Sequence, residues 1–269
     1  MTAIDSGIDA LAPVDGLSVT LADGVLSVTI DRPDSLNSVT TGVLAGIADA
    51  MEGAAHDPRV RAVRLGGAGR GFSSGAGISA EDASDGVPTE IIVEANRAIR
   101  AIVALPRPVV AVVQGPAAGV GVSLALACDL VLASDKAFFL LAFTKIGLMP
   151  DGGASALVAA AIGRIRAMRL ALLAERLPAA DALAWGLISA VYPAEDFDAE
   201  VDKVLAALLA GPAAAFAKTK HAINAATLTE LDATLDREYV GQSILLNAHD
   251  FREGTRAFQD RRPPKFTDS

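Results

Sequence analysis

Residues Val109–Val113 (VVAVV) carry no polar side chain, and prolines at 106 and 108 keep any preceding helix from running into them. A strand that is apolar at every position needs cover on both faces, and a sheet obtains it from helices on each side. The flanking sequence supplies the elements for such a sheet. Residues 17–21 and 25–30 are β-rich runs joined by Asp23-Gly24, which predicts a hairpin. Val43, Leu44, Ile47 and Met51 recur at helical spacing over 40–51, with Gly53 and Asp57-Pro58 expected to close that helix. Further strands are predicted at 60–65, 130–133, 137–141 and 187–191. Helices are predicted at 89–105, 119–128 and 154–162. Strand, strand, helix recurs to about residue 150, and Ala-rich helices follow. That order predicts an α/β fold with a helical C-terminal part.

Composition narrows the class. Apolar residues make up 52% of the 269 residues but aromatics only 4%, so the core is expected to be Ala, Val, Leu and Ile. With 23 basic and 32 acidic side chains the net charge is −9, which argues against nucleic acid or an anionic membrane surface as partner. No stretch reaches the roughly 18 apolar residues that span a bilayer. The first 13 residues lack a signal-peptide pattern, and the single cysteine, Cys128, has no internal partner. A cytoplasmic setting is the expectation.

Several chemical motifs are weak in context. Gly71-Phe72-Ser73-Ser74-Gly75 fits the G-x-S-x-G nucleophile elbow, but no apolar helix follows the serine at once. Gly75-Ala76-Gly77-Ile78-Ser79-Ala80 fits a relaxed dinucleotide fingerprint without its strand–helix–strand setting. His56, His221 and His249 show no ligand spacing, so no metal is expected. Cys128 lies in an apolar helix and reads as core. Arg261, Arg262 and Lys265 read as a solvated end that could also meet phosphates. Two features carry more. Gly-rich loops at 72–78 and 114–123 each end a strand and open toward a helix, where free amides favour negative charge. Asp151 sits in the turn Met149-Pro150-Asp151-Gly152-Gly153, where capping the next helix is the ordinary role. Nearby Phe138, Phe139, Phe143, Leu148 and Met149 would instead desolvate it and make it a better base.

In order along the chain, Asp31-Arg32-Pro33 with Leu36-Asn37, Gly71–Ala76, Ala111–Gly115 with Gly119-Val120-Gly121 and Ala127–Leu130, Ile146–Gly153, and Phe251–Gly254 with Arg262–Phe266 form five motifs. Together they resemble the crotonase superfamily, the enoyl-CoA hydratases and isomerases, over about residues 17–266. The resemblance implies a spiral of ββα units over 14–200 and a helical trimerisation region over 201–269, giving a homotrimer or a dimer of trimers. It implies an acyl-CoA substrate, with coenzyme A part of that substrate and no separate cofactor. The backbone N–H groups of Ala76 and Val120 would form an oxyanion hole. Ser35, Leu36, Ser74, Gly77, Ile78, Ser79, Phe143 and Lys265 would bind CoA or the acyl group.

The departures from the family pattern shape the expected reaction. Ser123 and Phe143 stand where hydratases carry their two glutamates, Gly77 replaces a frequent aspartate, and Val120 replaces a glycine. Asp151 falls where some enoyl-CoA isomerases keep a single acid. The leading expectation is therefore an enzyme that moves a double bond, with Asp151 as catalytic base. The alternatives are hydration, an Asp151 nucleophile in hydrolysis or dehalogenation, and a CoA-thioester-binding subunit without catalysis.

Overall fold

The computed structural model describes residues 7–77 and 89–268. Its first elements are the hairpin β1 (Leu17–Ala22) and β2 (Val25–Ile30), turned at Asp23 and Gly24. The Thr40 hydroxyl accepts from Val43 N–H at 3.2 Å and so caps α1 (Thr41–His56). There follow β3 (Ala62–Gly67), α2 (Glu90–Ala104), β4 (Val109–Val113), β5 (Pro116–Ala118) and α3 (Val120–Ala127). Then come β6 (Leu130–Ser134), β7 (Phe138–Leu140), α4 (Ala154–Leu173), β8 (Leu177–Pro178), α5 (Ala179–Trp185) and β9 (Ala190–Tyr192). The chain closes with α6 (Phe197–Ala210), α7 (Ala213–Thr227), α8 (Leu231–Leu245) and α9 (His249–Gln259).

The main sheet runs β1-β2-β3-β4-β6-β9 and is parallel beyond the hairpin. Every residue of β4 is buried. Val109, Ala111 and Val113 join the large core beneath α1, α2 and α3, while Val110 and Val112 meet Phe197, Val201 and Leu205 of α6 on the other face. The apolar run is thus a strand covered twice, as its composition requires. A smaller sheet, β5-β7-β8, repeats the spiral one layer away. Parallel bridges Val39–Ala76 and Ser73–Ala117 extend that layer toward the start of the chain. Each turn of the spiral therefore places one segment in each layer before its helix. This is the ββα spiral of the crotonase fold.

Some boundaries differ from the sequence reading. Helix α1 runs through Gly53 to His56, because Gly53 packs under Ile8 and the helix ends at Asp57 instead. The last strand falls at 190–192, since Leu187 and Ile188 plug the core after α5. Helix α4 continues past Gly163, which kinks it at φ 76°, ψ 159°. The division drawn at residue 200 falls inside α6, whose buried face belongs to the sheet. Lys220 ties α7 to the core, donating to Asp129 Oδ2 at 2.9 Å and to the carbonyls of Ile102 and Arg107. Among the described residues no helix is long and apolar enough to cross a membrane.

Candidate active site

The two Gly-rich loops meet glycine to glycine. A Cβ on Gly75 (φ 89°) would lie 2.8 Å from the Ala118 carbonyl oxygen and 3.3 Å from Gly119 Cα, so only glycine allows this approach. Gly119 itself sits at φ 53°, ψ −132° and starts α3. The residues that follow these glycines are Ala76 and Val120, and both line one pocket of about 120 Å³. Among the described residues neither of their N–H groups has a hydrogen-bond acceptor. For Val120 the reason is general, since the first amide of a helix has no intrahelical partner. Two unpaired amides on one wall can hold a negative oxygen.

Ser73 locks the loop behind them. Its buried hydroxyl donates to Asn37 O at 2.8 Å and accepts from Gly75 N–H at 3.2 Å. Ser73 is therefore a brace, and the nucleophile-elbow match has a structural explanation. Asn37 completes the brace by donating to the carbonyls of Ala68 and Gly71.

Asp151 lies on the same pocket, together with Phe143, Leu148 and Phe251. It is the only ionisable side chain among the described lining residues. It does not cap α4. Gly153, in a left-handed conformation, precedes that helix, and the amides of Gly153 and Ser155 donate to Glu238 of α8 at 2.6 and 2.8 Å. The helix terminus thus has its negative partner from a distant segment. Gln242, one turn further along α8, donates Nε2–H to Asp151 Oδ2 at 2.8 Å and accepts from Met149 N–H at 3.2 Å. The Asp151 carbonyl accepts from Ser123 Oγ at 2.8 Å. Oδ1 has no protein partner among the described residues.

Asp151 keeps some surface open to the pocket while protein encloses it on every larger scale. Burial pushes its carboxyl up to about 7; the Gln242 hydrogen bond opposes this and the Glu238 charge adds to it. Glu238 is itself raised by burial, against the pull of its bonds to Ser155 and Gly153.

Of the residues expected at the site, Ser74, Ala76, Gly77, Val120, Phe143 and Asp151 come together on the pocket. Ser35 and Leu36 are not on its wall. They stand behind it, their carbonyls accepting from Ser74 Oγ and Ser74 N–H, each at 2.9 Å. Lys265 is not on the wall either. It lies exposed in the C-terminal tail, with its N–H on Glu253 Oε1 at 2.8 Å. Ile78 and Ser79 fall outside the described residues. Sequence reasoning missed Glu238 and Gln242. The available signal was the buried face Leu231, Leu235, Glu238, Gln242, where two polar residues continue an apolar helical stripe.

The model of the family described as enoyl-CoA hydratase/isomerase matches residues 20–269. The chain belongs to the enoyl-CoA hydratase/isomerase family. A "probable enoyl-CoA hydratase" of Rhodobacter capsulatus is 39% identical, over 92% of this chain and 96% of that protein. The "1,2-epoxyphenylacetyl-CoA isomerase" of Escherichia coli is 37% identical, over 91% and 95% respectively. A crystal structure described as an enoyl-CoA hydratase from Mycobacterium avium subsp. paratuberculosis superposes with a TM-score of 0.91 at 73% identity. It covers 95% of this chain and 100% of that one. Relatives in this enzymatic family thus carry both hydratase and isomerase names, and binding of an acyl-CoA thioester is consistent with the family.

Proposed function

We propose that this family member shifts a double bond in an enoyl-CoA thioester. The observation that carries the reading is Asp151, the single ionisable group among the described residues of the pocket, facing amides of Ala76 and Val120 that have no acceptor among those residues. Asp151 removes an allylic proton, the electrons move onto the thioester oxygen, and the two amides hold the resulting dienolate. The protonated carboxyl then returns the proton to a carbon further along. One group suffices for both steps. Water addition asks for a second group to position and deprotonate water. Ser123 and Phe143, where the family resemblance puts the hydratase glutamates, offer none: the Ser123 hydroxyl is spent on Asp151 O, and Phe143 cannot exchange a proton. An isomerase name is among those the relatives carry, that of the Escherichia coli protein for an epoxide-bearing CoA thioester. Double-bond migration is redox-neutral, so it needs no cofactor beyond the coenzyme A of the substrate.

The test is mass spectrometry and chromatography of products from a panel of 2-enoyl- and 3-enoyl-CoAs. Conversion of 3-enoyl to 2-enoyl thioester should outrun hydration. A water adduct, a free acid or no product as the main outcome overturns the reading in favour of a hydratase, a hydrolase or a binding subunit.

The site reading includes self-association. Beyond the kink, α4 shows Ile165, Met168, Leu172 and Leu173 to solvent, at 76, 42, 61 and 60% exposure, and α8 shows Val240 and Ile244. Such a surface on one chain fits an interface between copies. Light scattering should give the mass of a trimer or hexamer of the 27.4 kDa chain, and a monomer at micromolar concentration rules this out. Cys128, the one cysteine, has no internal disulfide partner, and we propose a cytoplasmic setting on that ground.

A further inference from the structure

Gln242 is 1% exposed and makes two hydrogen bonds that fix which way its amide points. Met149 N–H can only donate, so the Gln242 atom facing it has to be the oxygen, and the atom facing Asp151 has to be the nitrogen. A flipped amide would set donor against donor at one end and oxygen against carboxylate at the other. The backbone supports this clamp. A Cβ on Gly241 would overlap Met149 Sδ, so the glycine lets α8 close on the turn. Ser123 holds the Asp151 carbonyl, and Glu238 holds the amides of Gly153 and Ser155 beyond it.

We propose that Gln242 is a positioning residue for Asp151: its clamped amide occupies Oδ2 and leaves Oδ1 as the one oxygen that exchanges a proton with the substrate. The ionised carboxylate accepts the Gln242 N–H at Oδ2. After proton abstraction the acid still accepts there if the proton sits on Oδ1, because Oδ2 is then the carbonyl oxygen. A proton on Oδ2 would meet the amide N–H head-on. The bonding electrons of the broken C–H stay with the substrate, and the same oxygen returns the proton, so the carboxyl need not turn between the two steps. Among the described residues Glu238 is the charged group acting on Asp151, and Arg237 acts in turn on Glu238.

This inference rests on Asp151 being the base, so its test reads the carboxyl apart from turnover. Protein labelled with carbon-13 at aspartate carboxyls is titrated by NMR, with the Asp151 signal assigned by its loss in Asp151→Asn. Gln242→Leu removes the donor to the charged form, and the titration midpoint should move up from about 7. Gln242→Glu keeps the acceptor for Met149 but sets a second carboxyl against the first, and the midpoint should move further. The isomerisation rate of each variant should fall about tenfold or more on its pH plateau, as loss of a charge-assisted hydrogen bond implies. Its acid limb should shift with the NMR midpoint, and KM should change little. Thermal melts identify any variant that fails to fold, and the remaining one carries the test. An unmoved midpoint, or a rate lowered equally at every pH, reduces Gln242 to packing and overturns the proposal. A moved midpoint with full activity in Asp151→Asn instead removes Asp151 as base while the clamp on its carboxyl stands.

Discussion

Asp151→Asn should lower the conversion of 3-enoyl- to 2-enoyl-CoA by about 100- to 10,000-fold, the usual worth of a general base. Asparagine keeps the shape and still offers an oxygen to Gln242, so thioester affinity should stay close to that of the unaltered protein. It cannot hold a proton taken from carbon. The unaltered protein carries a built-in version of the same experiment. Its carboxyl is pushed up to about 7, so it is ionised above that pH and protonated below. The rate should therefore fall as pH drops through 7, three units above where an ordinary aspartate would lose its charge. Product chromatography over pH, with calorimetric binding of a 2-enoyl-CoA, measures both. Equal turnover in Asp151→Asn would put the base elsewhere.

Val120→Pro should cost about 100- to 1000-fold in rate, the usual loss on removing one oxyanion donor. The substitution is selective because Val120 is the first residue of α3. Proline is favoured at that helical position, where the missing N–H had no intrahelical partner to lose. Val120→Ala keeps the amide and should change the rate only slightly. The pair separates the backbone from the side chain, provided circular dichroism shows both variants folded. A folded Val120→Pro protein with full turnover excludes that amide from the site.

Local rules carried much of this architecture. Residues 109–113 announce a doubly covered strand because burial on both faces leaves no place for a polar side chain. Asp23-Gly24 announces the hairpin, and the Gly-rich loops at 72–78 and 114–123 announce free amides, though not that the loops meet at Gly75 and Gly119. The proline-glycine turn around Asp151 was visible too, but local sequence favoured a capping role for its carboxyl. The structure gives that role to Glu238, 85 residues beyond Gly153. A partner so distant leaves no trace near the turn, because tertiary packing chose it. The same holds for Gln242 on Asp151, 91 residues apart. Ser35 and Leu36 lie near enough in the fold to be bonded to Ser74, yet their side chains are not on the pocket. Sequence order could place them beside the loop without saying which groups face inward.

The enclosure of Asp151 also ties the endurance of the fold to its working state. In the unfolded chain this carboxyl loses its proton near 3.8, whereas in the folded chain it holds it to about 7. Between those values the folded state binds the extra proton, so stability declines as pH rises through the window and levels off above it. This carboxyl thus contributes least to stability under the conditions where it is charged. Asp151→Asn has no proton to lose, and its melting temperature should exceed that of the parent at pH 8 while approaching it near pH 4. Natural selection for a more heat-resistant chain would find an easy step at position 151 and lose the chemistry by taking it.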